Sequence, residues 1–117
     1  MTRWLALDLA LTGVFAALGR WSHHEALTIG GWWHTAWPFL AGVAAGWVVA
    51  LAARRTPAAL GTGLIVWPAA VLGGMLLRRV SDQGTAPAFV VVATLALGLM
   101  LLLPRTVVFA RSRALAS

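Results

Sequence analysis

Residues 36–77 read AWPFLAGVAAGWVVALAA, then RRTPAA, then LGTGLIVWPAAVLGGMLL. The two outer runs, 36–53 and 60–77, carry no charged side chain, and the joint between them opens on Arg54 and Arg55. A run of this length makes about 27 Å of α-helix, slightly short of the roughly 30 Å hydrocarbon core of a bilayer. In lipid only a helix satisfies the backbone groups of a single segment. The stretch therefore predicts a helical hairpin that crosses a membrane twice. Outward from it, residues 4–20 and 86–103 are apolar runs of similar length. The prediction is an all-α integral membrane four-helix bundle, a single transmembrane domain over residues 1–117 with spans at about 4–20, 36–53, 60–77 and 86–103. It reads as two tandem helical hairpins.

Composition points the same way. Of the 117 residues 61% are hydrophobic and 10% charged, whereas about 25% is usual in a soluble domain. A soluble domain this small could not hide so much apolar surface. All nine basic residues are arginine, against three acids, a formal +6. The arginines stand singly or in pairs at the ends of apolar runs, which is a topology signal rather than a nucleic-acid stripe. Absence of cysteine excludes disulfides, zinc–thiolate sites, iron–sulfur clusters and thiol nucleophiles. Arg3 and Ala17-Leu18-Gly19 imitate a leader peptide, but Asp8 interrupts the apolar core and another span follows.

With four spans, one side holds Arg3, Arg54, Arg55, Arg105, Arg111 and Arg113, and the other holds Arg20, Arg78 and Arg79. Six against three predicts both termini on the cytoplasmic side of a bacterial inner membrane. The hairpins resemble each other at their outer ends: Arg20-Trp21-Ser22 precedes Thr35-Ala36-Trp37-Pro38-Phe39, and Arg78-Arg79-Val80-Ser81 precedes Thr85-Ala86-Pro87-Ala88-Phe89. Thr35 and Thr85 are the expected helix N-caps, with a proline in each first turn. Gly42 and Gly46 form a GxxxG, and Gly73 and Gly74 complete small-xxx-small pairs in the third span. These are expected helix-packing faces. Pro68 cannot donate to Leu64 and predicts a kink or hinge.

Chemistry concentrates at two places. The candidate outer polar cluster is Arg20, Ser22, His23, Arg78, Arg79, Asp82 and Thr85. Arginine forks match a carboxylate or phosphate, and the alternative is that these arginines pair with Glu25, Asp82 and lipid headgroups. A metal centre at His23, His24, Glu25 and His34 lacks HxxxH or HExxH spacing, so no metal and no cofactor is predicted. Adjacent imidazoles beside Glu25 and Arg20 suit a pH response. Trp21, Trp32, Trp33 and Trp37 read as an interfacial belt, with residues 26–33 lying flat in the headgroup region. The second place is Asp8, the one acid inside a span. Such a carboxylate is a proton carrier, an ion ligand, an arginine partner, or an anion at a helix N-terminus. Trp47 and Trp67 form an inner-half aromatic pair at similar depth, and an indole N–H donating to Asp8 would satisfy both.

Asp8, Phe15-Ala16-Ala17-Leu18-Gly19-Arg20 with Ser22-His23, Thr35-Ala36-Trp37-Pro38-Phe39, Gly74-Met75-Leu76-Leu77-Arg78-Arg79 and Gly84-Thr85-Ala86-Pro87-Ala88-Phe89 carry a resemblance over nearly the whole chain. In that order they resemble the small prokaryotic membrane proteins grouped as domain of unknown function three-thousand-and-fifty-four. The resemblance implies a four-helix membrane protein and no particular activity. Three functions compete. The first is a small oligomeric transporter or permeability protein with Asp8 as intramembrane acid. The second is an accessory or scaffold subunit of a membrane complex. The third is an outer-face binder of anions or lipid headgroups, or an enzyme acting there. The expected partners are the lipid bilayer and either further copies of the chain or a larger membrane complex, with no nucleic acid.

Overall fold

A computed structural model describes residues 2–116. Among them are four helices: α1 (Thr2–Ser22), α2 (Ile29–Ala52), α3 (Leu60–Val80) and α4 (Pro87–Ala116). All four are long and apolar enough to cross a membrane. They form a ring in chain order, α1 against α2, α2 against α3, α3 against α4, and α4 back against α1. The α2–α3 contact is the most extensive and the α1–α4 contact the least. Val48, Leu64, Leu72, Leu76, Leu95 and Leu99 remain exposed on the outside of the bundle. Helices apolar on every face belong in a bilayer rather than in water.

Small residues decide why α2 and α3 pack so closely. A Cβ built on Gly42 would stand 2.8 Å from the Ala69 carbonyl oxygen, and one on Gly46 would stand 2.9 Å from the Val66 Cα. Those neighbours are backbone and cannot swing aside. The core of Phe15, Phe39, Val43, Trp47, Val66, Ala70 and Leu97 fills the space between the helices. Phe39 and Phe15 meet edge to face at 5.2 Å between centroids, and Phe39 lies 6.1 Å from Phe89.

The first three helices end alike. His24, Arg54 and Asp82 adopt left-handed backbone angles, with φ of 57°, 57° and 61°. The following N–H then reaches back five residues: Glu25 to Arg20 at 2.8 Å, Arg55 to Ala50 at 2.9 Å and Gln83 to Arg78 at 2.7 Å. This is the Schellman closure, which satisfies carbonyls that a helix end leaves unpaired.

Several boundaries differ from the sequence expectation. α2 starts at Ile29, and its N-cap is Thr28, whose hydroxyl accepts from the Gly31 N–H at 3.0 Å. Thr35 and Pro38 thus lie inside α2, and Ile29–Trp33 is helical rather than flat. The glycine pair at 30–31 reads as a break, yet the Thr28 cap offsets its low helix propensity. α4 starts at Pro87 with the Ala86 carbonyl accepting from Val90, so Ala86, not Thr85, occupies the cap position. α4 also runs through Pro104 to Ala116. A proline removes one intrahelical bond, and the flanking turns keep the helix continuous.

Candidate functional site

At the end of the bundle where α1 begins and the 53–59 turn lies, Asp8 meets Arg105. Arg105 donates from both terminal nitrogens to the carboxylate, Nη1 to Oδ1 at 2.9 Å and Nη2 to Oδ2 at 2.8 Å. Trp47 Nε1 donates to the same Oδ2 at 2.9 Å. The remaining guanidinium bonds go to the Leu101 carbonyl at 2.9 Å and the Pro57 carbonyl at 3.1 Å. The Trp4 ring stands over the guanidinium at 5.0 Å. Side-chain exposure is 0% for Arg105 and 1% for Asp8. A buried charge persists only when paired and hydrogen-bonded, and here both conditions hold.

Four segments meet at this pair: α1 gives Asp8, α2 gives Trp47, the 53–59 turn gives Pro57 and α4 gives Arg105. Asp8 lies two turns into α1, and Thr12 one turn later returns its hydroxyl to the Asp8 carbonyl at 2.7 Å. Arg105 extends past Gly63 of α3, where a Cβ would stand 3.0 Å from its Cδ. Of the two indoles placed near Asp8 from the sequence, Trp47 reaches it. Trp67 instead turns to α4 and donates to the Thr94 carbonyl at 2.8 Å. Arg105, assigned above to topology, is the carboxylate's partner. Pro68 lies inside α3.

The opposite end holds a cavity of about 490 Å³ between the 23–28 and 81–86 loops. That is within the size range of small-molecule pockets. Of the polar cluster, Arg20, His23, Arg78 and Asp82 line it, joined by Glu25, His34, Thr35 and Gln83. Phe15, Ala16 and Phe89 add apolar wall. Ser22, Arg79 and Thr85 do not line it. Ser22 donates to the Gly19 carbonyl at 3.0 Å, and Arg79 is exposed.

The two arginines are held alike. Arg20 Nε donates to the carbonyl six residues on, Ala26, at 2.7 Å, and Nη1 to Glu25 Oε2 at 3.3 Å. Arg78 Nε donates to the carbonyl six residues on, Gly84, at 3.0 Å, and Nη1 to Gln83 Oε1 at 3.2 Å. Each closes its own loop and turns its guanidinium to the shared cavity. Arg20 Nη1 also reaches the Thr35 hydroxyl at 3.1 Å. Arg78 stacks on Phe89 at 4.4 Å from the ring centroid. One difference matters chemically. Arg20 has a carboxylate partner, whereas the Arg78 hydrogen bonds go to neutral oxygens of Gln83 and Gly84. In the Arg20–Glu25 pair the arginine side chain is 11% exposed and the glutamate 52%, so the carboxylate is the solvated partner, and the 3.3 Å contact is a long one that a better-placed anion can replace.

A family model described as "Protein of unknown function (DUF3054)" matches residues 5–108. The chain belongs to that family. The DUF3054 match takes in both partners of the buried pair, Asp8 and Arg105, and both cavity arginines. No curated protein and no solved structure matches the chain.

Proposed function

We propose that this DUF3054 protein is a membrane-embedded binding protein for a phosphate or carboxylate group, taken up in the cavity between Arg20 and Arg78 at the outer face. The supporting observation is the state of Arg78: a half-buried guanidinium on a cavity wall, braced by three bonds to neutral oxygens and stacked on Phe89. Such a fork is pre-organised, so an incoming anion does not bear the cost of ordering it. One chain completes the cavity, so the reading does not depend on oligomer formation.

The transporter reading would give Asp8 the working role. An intramembrane proton carrier must exchange with water, whereas Asp8 is 1% exposed and receives three N–H donors. We therefore assign Asp8 to holding the bundle together.

The test is a ³¹P titration of inorganic phosphate and methyl phosphate against purified protein in an uncharged detergent. Wild type should broaden or shift the resonance saturably. The Arg20→Ala and Arg78→Ala variants should weaken binding at least about tenfold each, the loss expected for one charge-assisted contact. Equal binding by wild type and both variants would reject the assignment.

A further inference from the structure

Beside the cavity lies a second, apolar space that an anion held by Arg20 and Arg78 leaves empty. A groove of about 240 Å³ runs between α1 and α4, the least tightly packed helix pair. It shares Phe15 and Gly19 with the polar cavity. On α4 its wall is Val92, Ala96 and Met100, which follow Phe89 of the cavity at helical spacing along one face. From Val92 to Met100 the α4 wall of the groove rises about 12 Å, against about 15 Å for one leaflet of the hydrocarbon core. The groove thus spans most of the depth of one leaflet.

Charge is ordered along the same axis. Phe15 and Ala16 are buried at the cavity floor, the largely buried Arg20 and half-buried Arg78 lie above them, and the acids Glu25 and Asp82 are exposed at the rim, Glu25 reaching Arg20 at 3.3 Å. Two cations and two carboxylates make the lining formally neutral. A simple anion would meet the arginines but also feel the acids, and like charges juxtaposed across a contact are unfavourable. A ligand that is apolar below, anionic at mid-depth and cationic at the top fits all three zones.

We propose that the occupant is a phospholipid with an amine-terminated headgroup. Its acyl chain lies in the α1–α4 groove, its phosphate on Arg20 and Arg78, and its ammonium beside Asp82 and Glu25. This rests on the anion-binding reading and names the ligand class for the same site. Neither free phosphate nor a headgroup fragment uses the groove, so tail and amine are tested separately.

The experiment is native mass spectrometry of the full chain. The protein is released from detergent containing equal amounts of phosphatidylethanolamine and phosphatidylglycerol with identical chains, and glycerophosphoethanolamine serves as the tail-less probe. Wild type should retain the ethanolamine lipid about tenfold over the glycerol lipid. Asp82→Asn should reduce that preference, and Ala96→Phe, which fills the groove, should weaken lipid retention while leaving glycerophosphoethanolamine binding intact. The last result also shows that the variant is folded. Arg78→Ala should weaken every phosphate compound. If phosphate and glycerophosphoethanolamine bind through Arg78, but the two lipids are retained equally or Ala96→Phe changes nothing, the lipid proposal fails and the anion-binding reading stands. If no phosphate compound depends on Arg20 or Arg78, both fail.

Discussion

Neutralising Asp8 while keeping its shape should cost the bundle much of its stability. In Asp8→Asn the side chain no longer opposes the Arg105 charge, and two charge-assisted bonds at 2.8 and 2.9 Å weaken or lose their geometry. An amide nitrogen facing the guanidinium also sets donor against donor. Removing one partner of a buried pair costs about 3–5 kcal/mol, because the other charge remains in a low-dielectric site. Arg105 is 0% exposed, so no rotation reaches water without opening the 53–59 turn at Pro57. The expected loss is therefore about 3–5 kcal/mol for Asp8→Asn and a similar amount for Arg105→Met. The double variant removes both charges and should lose less than the sum of the singles by at least about 2 kcal/mol. The assay is reversible unfolding in mixed micelles, followed by tryptophan fluorescence, across the four-member cycle. Single variants each within about 0.5 kcal/mol of wild type, with additive effects, would refute the buried pair, since that is the behaviour of a screened surface pair.

Other outcomes follow from the packing. Gly46→Leu forces a side chain against the Val66 Cα at 2.9 Å and should destabilise by about 3 kcal/mol or more, read in the same micelle titration. Thr28→Ala removes the hydroxyl capping the Gly31 N–H and should cost about 1 kcal/mol, with faster amide exchange confined to the first turn of α2. His24→Gly relieves a left-handed backbone at φ 57° and should raise stability by about 0.5–1 kcal/mol. A loss of stability in that variant would mean that the His24 side chain contributes more than its backbone costs.

The four spans were legible because length and apolarity alone decide them, and Asp8 was legible as the lone acid in a span. Its partner was not. Arg105 follows Pro104 directly, so the pair Pro-Arg reads as the end of a span, and 97 positions separate it from Asp8. The available signal was the apolar run Val107-Val108-Phe109 beyond the proline, which argues that the helix continues. The start of α2 was misplaced for a related reason: Gly30-Gly31 and Pro38 are local helix breakers, and the Thr28 cap with tertiary packing overrides them. At the cavity, Arg20, His23, Arg78 and Asp82 could be read from the sequence, but the bracing of Arg78 by Gln83 and Phe89 could not. The repeated spacing Arg20–Glu25 and Arg78–Gln83 was the missed clue, since both polar partners stand five residues after an arginine.

On the proposed function, the molecule divides into a buried pair that holds the helices together and a cavity that takes up an anion. Phosphate affinity of two variants measured side by side tests that division most directly. The Asp8→Asn, Arg105→Met double variant, which keeps the cavity, should bind methyl phosphate within about twofold of wild type, while Arg78→Ala should bind at least about tenfold more weakly. Loss of binding in a double variant that tryptophan fluorescence shows to be folded, with full binding in Arg78→Ala, would place the working site at Asp8 and contradict this division.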